Sequence, residues 1–240
     1  MSFTDVHHHL LWGLDDDGPK TRQEMYGMVR RAAADGVATL VATPHVAPGL
    51  RFFDGQLFLQ RLEDARVYAA QQGLNLILLP GSEILFTPYA CEMLRKGQAP
   101  TLAGTDHALV EFSPRIACQE LQRSLRQVAQ AGFVPVLAHC ERYACLVRHP
   151  ALALELKAQF PVCFQVNAST FLRRQGFWLR RFLKRMMETG LVDFIASDAH
   201  NLSSRKVNLS DAFKEVSKRY GEETASRLLG SNGKAMVKQL

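Results

Sequence analysis

The chain has 240 residues, of which 47% are hydrophobic, and this suits one large α/β domain better than two small ones. No apolar run approaches the roughly 18–20 residues that a membrane-spanning helix needs, and the N-terminal MSFTDVHHH lacks the features of a signal peptide. The scattered cysteines are never spaced as CxxC, which argues against a disulfide framework or a zinc knuckle. We therefore expect a cytoplasmic protein that forms a single domain over residues 1–240.

The net charge of +6 and the pI near 9.2 favour anionic partners. Much of the positive charge lies in residues 173–185, where arginine and lysine alternate with Phe177, Trp178 and Phe182. Two interpretations of this segment stay open: a solvated helix whose aromatic side packs on the core, or a docking surface for an anionic partner. No nucleic-acid-binding motif accompanies the charge, so a basic nucleic-acid-binding module is a distant alternative and we expect no nucleic acid partner.

Short apolar runs alternate with helix-like segments along the whole chain. The first helical segment, residues 21–34, has apolar side chains three or four positions apart and is closed by Gly36. Most runs are apolar almost throughout, as strands covered on both faces of a parallel sheet are. This alternation predicts a (β/α) barrel or a doubly wound sheet. The predicted strands are residues 3–9, 38–45, 74–83, 107–112, 134–139, 162–167 and 192–200.

Ligand-type side chains lie at the carboxyl ends of these predicted strands. In a (β/α) barrel that end is the face on which active sites are built, so their position favours the barrel. Such an accumulation of reactive residues at one rim is also unexpected in a binding module. The residues concerned are His7 and His9, His45, Glu83, Glu111, His139, Asn167, and Asp198 with His200.

Two pairs of these residues are spaced i, i+2, which places both members on one face of a strand. His7 and His9 form the first pair, with His8 pointing away, and Asp198 and His200 form the second. Burying so many imidazoles and carboxylates without counter-ions would cost several kcal/mol per unpaired charge. The nitrogen and oxygen donors suit Mn²⁺, Fe²⁺, Zn²⁺ or Mg²⁺ and are too many for one ion. We expect two or three divalent ions, with a carboxylate bridging at least one pair.

The dipeptide His139-Cys140 resembles the start of the phosphate loop of cysteine phosphatases. Such a loop needs an arginine six residues after the cysteine, and here that position is Leu146. Arg142 comes too early to complete it. We therefore interpret Cys140 as a bystander and His139 as the ligand.

The motifs DVHHH, DDDGPKT, ATPH, GSEI, LVEFS, AHCERY and SDAHN resemble those of the polymerase and histidinol phosphatase (PHP) superfamily. More narrowly, they resemble the bacterial capsular and exopolysaccharide protein-tyrosine phosphatases. The match runs in order from Asp5 to about Arg205. It implies a distorted (β/α)7 TIM-like barrel, the PHP fold, with a trinuclear metal centre in which manganese is the expected ion.

The resemblance also implies which residues hold each ion, with Glu83 as the bridge. After the first motif the chain carries one more residue than the family pattern, so Asp16 is an alternative to Asp17. Arg142 in HCERY and Arg205 in HNLSSR would bind the phosphate oxygens and act in catalysis. The implied ligand sets are His7, His9, Glu83 and Asp198 for the first ion; Glu83, Glu111 and His139 for the second; and Asp17, His45 and His200 for the third.

The implied activity is hydrolysis of phosphotyrosine by metal-activated hydroxide. The implied substrate is the tail of a polysaccharide-export tyrosine autokinase, and the implied role is regulation of capsule or exopolysaccharide production. A histidinol-phosphate or other small-molecule phosphatase on the same centre is the alternative. The sequence is compatible with a homo-oligomer.

Overall fold

Short parallel strands form the frame of the computed structural model, which describes residues 2–237. Helices follow most of them, as the alternating sequence pattern predicts. The strands within that range are β1 (Phe3–His8), β2 (Val37–Ala42), β3 (His45–Val46), β4 (Ile77–Pro80), β5 (Glu83–Leu85), β6 (His107–Glu111), β7 (Val134–Leu137), β8 (Cys163–Asn167) and β9 (Phe194–Ala196).

The helices differ widely in length. The longer ones cover the sheet, and the shorter ones sit in the loops and near the C-terminal end of the described chain. They are α1 (Arg22–Ala34), α2 (Gly55–Gln71), α3 (Ala90–Arg95), α4 (Cys118–Gln130), α5 (Ala144–Arg148), α6 (Ala151–Gln159), α7 (Ala168–Leu172), α8 (Phe177–Glu188), α9 (Leu209–Tyr220), α10 (Glu222–Ser226) and α11 (Asn232–Val237).

The strands pair in chain order within two curled sheets, β1-β2-β4 and β3-β5-β6-β7-β8-β9. A bridge between His8 and Ala199, which lies just after β9, joins the first strand to the last. The seven predicted runs therefore follow one another around a ring, and the prediction of a distorted parallel α/β barrel is confirmed.

Two of the predicted strands, residues 38–45 and 74–83, are each broken into two pieces that belong to different sheets. Pro44 lies at the first break and has no N–H for a ladder hydrogen bond. Gly81 lies at the second, where an added Cβ would come within 2.6 Å of Val41 Cγ1. The prediction of continuous strands is wrong at these points, and the breaks turn β3 and β5 toward the site.

Helix α1 shows how local sequence sets the element ends. Thr21 caps the helix and accepts a hydrogen bond from the backbone of Glu24, whose carboxylate accepts one from Thr21 N–H in return. Gly36 follows the helix with φ +92°, a conformation that glycine adopts without strain. The predicted helix and its end are confirmed, with Thr21 as the cap.

Helix α8 carries most of the Arg-rich segment. Phe182, Leu183 and Met186 are buried, so the inner side of the helix packs on the core as predicted. Phe177 and Trp178 in the first turn are instead 61% and 55% exposed and pack on each other, with ring centroids 5.4 Å apart. Of the two interpretations that the sequence left open, packing of the aromatic side on the core therefore holds for Phe182 and is wrong for Phe177 and Trp178. Across residues 2–237 we found no helix whose length and apolar character would let it cross a bilayer.

Candidate metal centre

The predicted ligand residues converge at the carboxyl ends of the strands. His7 and His9 point into one pocket, whereas His8 turns away and places Nδ1 3.0 Å from Asp5 Oδ2. Asp5 also accepts hydrogen bonds from the backbone and hydroxyl of Ser197, so this outer network ties β1 to the end of β9. The i, i+2 prediction is thus confirmed for His7 and His9. It is wrong as a strand argument for Asp198 and His200, because β9 ends at Ala196 and Asp198 has a left-handed φ of +50°.

The deepest part of the pocket is formed by two histidines and two carboxylates. His7 Nε2 and His9 Nε2 lie 3.1 Å apart, and each is 3.2 Å from Glu83 Oε2. Asp198 Oδ1 is 3.5 Å from the first nitrogen and 3.6 Å from the second. All four side chains are almost completely buried.

The outer partners of the two histidines fix their tautomers. His7 Nδ1 lies 3.1 Å from Gln165 Oε1, and His9 Nδ1 lies 3.0 Å from Asp15 Oδ2. Both neighbours are acceptors, so each Nδ1 carries the proton and each Nε2 presents a lone pair. The two lone pairs then face Glu83 Oε2 and Asp198 Oδ1, and Arg205 Nη2 reaches only the second of these oxygens. A cation between these four atoms would satisfy them, and the nitrogen and oxygen atoms fit a divalent metal ion.

A second group of ligand-type side chains lies around Glu83 and Glu111. His139 Nε2 lies 2.8 Å from Glu83 Oε1 and 3.6 Å from Glu111 Oε2. His45 Nδ1 lies 3.1 Å from Glu83 Oε2 and 3.3 Å from Glu111 Oε1. Glu83 therefore stands between two groups of ligand-type atoms, as a bridging carboxylate would.

A third group lies toward the surface. His200 Nε2 is 3.3 Å from Asp17 Oδ2, and His45 Nε2 is 3.8 Å from Asp17 Oδ1. The His200 nitrogen is buried and has no hydrogen-bond partner among residues 2–237, which fits a ligand atom. Asp16 is 89% exposed and pairs with Arg51 instead. Of the two aspartates left open by the sequence, Asp17 is the one that faces the histidines.

The electrostatics of the pocket depend on the same contacts. Burial alone would raise the pKa of Glu83, but the nearby imidazoles, that of His7 first, hold it well below its usual value. Burial would lower the pKa of His9, yet hydrogen bonds to Asp15 and Glu83 raise it well above 6.5. A proton on His9 is the alternative to a cation at this point, so protons and metal ions compete for the pocket.

The pKa values of two other histidines shift in opposite directions. Burial disfavours the charged form of His139, but its contacts with Glu111 and Glu83 raise the pKa to about 9. Burial and the neighbouring charge of His9 lower the pKa of His200 to about 2. His200 is therefore neutral at physiological pH, which is the form that binds a metal.

Arg142 and Arg205 both reach the rim of the pocket. Arg142 Nη2 lies 2.5 Å from Asp198 Oδ2, and Arg205 Nη2 lies 3.1 Å from Asp198 Oδ1. Arg205 Nη1 also pairs with Asp17 at 2.8 Å. Their side chains are partly exposed, at 41% and 34%. Both can therefore be reached by a ligand that enters from solvent.

Two site residues hold left-handed backbone conformations, His139 with φ +34° and Asp198 with φ +50°. This conformation is uncommon for residues other than glycine and carries a cost on the order of 1 kcal/mol. Each residue lies where the chain leaves a strand, and each presents its side chain to the pocket. The surrounding hydrogen bonds, such as Gln165 Oε1 accepting from His139 N–H at 2.7 Å, hold the loop in place.

The sequence did not reveal Asp15 and Gln165, which orient the first two histidines. Asp15 Oδ1 also accepts a hydrogen bond from His45 N–H at 2.7 Å, so Asp15 holds both the His9 ring and the backbone of His45 in place. Gln165 donates to Asn167 Oδ1, and Asn167 donates to Asp198 Oδ2. The available signal was that Gln165 lies two positions before Asn167 and therefore on the same face of β8.

Cys140 is fully buried, and burial raises the pKa of its thiol well above the usual range. A buried neutral thiol is a poor nucleophile. This agrees with the interpretation of Cys140 as a bystander beside His139.

Fold and site together define a class: a parallel α/β barrel whose strand ends carry histidine and carboxylate clusters able to hold divalent metal ions. The particular family follows from comparison with known proteins. The family model described as "Capsular polysaccharide synthesis, CpsB/CapC" matches residues 3–238. The chain belongs to this family.

The relatives carry consistent names. Tyrosine-protein phosphatase CpsB of Streptococcus agalactiae serotype V is 31% identical over 239 residues, with 98% of each chain covered. Tyrosine-protein phosphatase YwqE of Bacillus subtilis is 27% identical, over 91% of this chain and 85% of the relative.

Solved structures agree with this assignment. One described as YwqE from B. subtilis and CpsB from Streptococcus pneumoniae, "unique metal-dependent tyrosine phosphatases", matches with a TM-score of 0.87 and 26% identity, over 99% of this chain and 94% of the other. Histidinol phosphate phosphatase of Lactococcus lactis matches with a TM-score of 0.61 and 14% identity, over 97% and 98% of the two chains, which shows a shared fold alone.

Proposed function

We propose that this protein is a metal-dependent phosphatase that hydrolyses phosphotyrosine on a protein substrate and so regulates capsule or exopolysaccharide production. The observation that carries the proposal is the convergence of imidazole nitrogens and carboxylates directly beside two guanidinium groups. Metal ligands and phosphate-binding groups thus share one pocket. The names of the relatives and of the family support the same activity.

Three neighbouring groups of residues would hold the ions, and manganese is the ion we propose. The distances described above support the first two sets, which share Glu83, and the contacts of Asp17 with His200 and His45 support the third. His45 also lies within 3.3 Å of Glu83 and Glu111 through Nδ1, so it adjoins the second set as well. Nitrogen and oxygen donors without thiolate are compatible with Mn²⁺, and also with Fe²⁺, Zn²⁺ or Mg²⁺. The sets are His7, His9, Glu83 and Asp198; Glu83, Glu111 and His139; and Asp17, His45 and His200.

Bound divalent ions would acidify a water molecule and neutralise charge on the phosphate oxygens. The chain itself would position the phosphate. Arg142 and Arg205 present planar forks of N–H donors that match phosphate oxygens. Their hydrogen bonds to these oxygens would strengthen as negative charge spreads over the oxygens in the transition state. A tyrosine phenol, with a pKa of about 10, leaves without a dedicated protein acid. Asp15 and Gln165 would keep the His9 and His7 tautomers suited to binding.

We further propose that the substrate is the phosphotyrosine-bearing tail of a polysaccharide-export autokinase and that the encounter takes place in the cytoplasm. The capsule-synthesis family supports the first point. The free cysteines among residues 2–237 support a reducing compartment.

The test combines metal analysis with turnover. Purified protein should contain divalent metal, lose activity with chelator and regain it with Mn²⁺. It should hydrolyse a phosphotyrosyl peptide faster than the matched phosphoseryl peptide or histidinol phosphate. Preference for histidinol phosphate would instead favour a small-molecule phosphatase, and full activity of metal-free protein would overturn the proposal.

Variants localise the metal requirement. His9→Ala and Asp198→Ala should lose both metal and turnover while they remain folded. His107→Ala is a matched control, because His107 pairs with Asp106 at the start of β6 and lies outside the three ligand sets. Near-native turnover and metal content in either site variant would show that the ligand sets are wrong.

A further inference from the structure

A pocket of about 290 Å³ extends from Arg142 and Arg205 toward the start of the Arg-rich segment. Arg173, which follows α7, lines this pocket. Lys206, the neighbour of Arg205 in the chain, lines it as well. The candidate metal centre and the segment at residues 173–185 are therefore joined by one continuous cavity wall.

The charges in this pocket do not balance. Its one carboxylate is Asp198, and the oxygens of that residue already accept hydrogen bonds from Arg142 and Arg205. Arg173 and Lys206 are exposed and form no salt bridge with any residue of the described range 2–237. Two cations thus face a pocket in which no carboxylate of the described chain is left to pair with them.

The other lining side chains are polar and uncharged. Ser169 and Ser204 have hydroxyl groups that can donate hydrogen bonds, and Asn208 has an amide. A wall of cations and neutral donors, with its single carboxylate occupied, matches an anion. It matches neither a metal ion nor an apolar side chain.

We propose that this pocket binds an anionic side chain that lies two residues from the scissile phosphotyrosine in the substrate. The proposal rests on the proposed function, because the phosphotyrosine must first be seated between Arg142 and Arg205. Residues two apart in an extended peptide are about 7 Å apart and point the same way, so a neighbouring side chain is within reach of the adjoining pocket. The shared chemistry is an oxyanion, either a carboxylate or a second phosphate.

Matched peptides test the preference directly. Three substrates share one scissile phosphotyrosine and carry, two residues from it, alanine, glutamate or a non-hydrolysable phosphonate analogue of phosphotyrosine. The native protein should show a higher kcat/KM for the two anionic peptides than for the alanine peptide. The glutamate and phosphonate arms separate the carboxylate from the phosphate as the preferred group. Equal kcat/KM for all three would overturn the inference.

Variants assign the preference to the pocket. Arg173→Ala should reduce the ratio of kcat/KM between anionic and alanine peptides by about threefold to tenfold, the scale of one charged contact. Lys206→Ala should reduce it less, and the preference should weaken with added salt. Arg174→Ala is the control, because Arg174 is also an exposed arginine, adjacent in sequence, and does not line the pocket.

The Arg174→Ala control also defines the result that would contradict a role for the pocket. If Arg174→Ala lowers the ratio as much as Arg173→Ala, the preference comes from general charge and the pocket has no special role. If the native protein hydrolyses none of the peptides, the proposed function itself fails. If the native protein hydrolyses all three peptides at equal kcat/KM, the anion-binding role of the pocket is wrong and the proposed phosphatase function stands.

Discussion

Asp15→Asn is the most informative single change, because it alters a tautomer and leaves the shape of the pocket unchanged. Asp15 is buried, and its Oδ2 accepts a hydrogen bond from His9 Nδ1 at 3.0 Å. Burial opposes ionisation of Asp15, but the contact with His9 lowers its pKa, so it is a carboxylate at neutral pH. Asparagine can still accept from His45 N–H through its oxygen, and its NH₂ group then faces His9 Nδ1.

Two donors cannot face each other, so His9 would move its proton to Nε2, the atom that points into the metal pocket. We expect metal affinity to fall by about tenfold to a hundredfold, the usual effect of losing an outer partner of a histidine ligand. At about 1.4 kcal/mol per factor of ten, this corresponds to about 1.4–2.8 kcal/mol. The metal-free protein should lose less stability, because His9 Nε2–H could then donate to His7 Nε2, which lies 3.1 Å away.

The assay is calorimetric titration of metal-free protein with Mn²⁺, together with Tm measured with and without metal. The rise in Tm on metal binding should shrink in Asp15→Asn. Asp16→Asn is the matched control: it is the next residue, has the same chemistry, and is 89% exposed. Native metal affinity in Asp15→Asn would refute the reasoning, as would an equal loss in the control.

Three further predictions concern the arginines, the buried cysteine and pH. Arg142→Ala should keep its metal while kcat/KM falls by a factor on the order of 10², and Arg142→Lys should recover part of the loss. A destabilised Arg142→Ala protein with unchanged kcat/KM would contradict the phosphate-binding role. Cys140→Ser should remain active, with a lower Tm because a hydroxyl replaces a buried thiol. A folded, metal-loaded but inactive Cys140→Ser protein would overturn the interpretation of Cys140 as a bystander. Metal affinity should fall as pH decreases through the raised pKa of His9, because the protonated form cannot bind; pH-independent affinity would contradict this competition.

Much of the fold could be predicted because apolar runs and glycine-closed helices are local signals. The order of the strands follows from the alternation of strand and helix, since parallel strands need a crossover between them. The breaks at Pro44 and Gly81 could not be predicted as changes of sheet. Each break depends on which neighbouring strand pairs with the segment, and the pattern of apolar runs along the chain does not contain this information.

The sequence left the position of Phe177 and Trp178 open for a related reason. Their spacing relative to Phe182 does not exclude a buried position, and aromatic residues are usually inside. They lie instead in the first turn of α8, directly after Gly176, where the helix begins at the surface. The direction of a helix relative to the core is a tertiary property.

The ligand-type residues could be predicted because a strand alternates its faces and a barrel collects its strand ends. Asp15 and Gln165 could not, because their roles arise from contacts between distant parts of the chain. Gln165 reaches His7 from 158 positions away. An amide on a strand is ordinarily a structural residue, and only the facing imidazole gives it the role of fixing a tautomer.

Asp198 links the proposed metal ligands to the proposed phosphate-binding groups. Its Oδ1 faces His7 and His9, and its Oδ2 accepts from Arg142 and Asn167. Loss of the arginine would therefore free one side of a carboxylate that the histidines also need in place. For this reason the kinetics of Arg142→Ala can be assigned to phosphate binding only if its metal content is measured on the same sample. A variant that loses both would show that the arginine acts through Asp198, as a positioning residue.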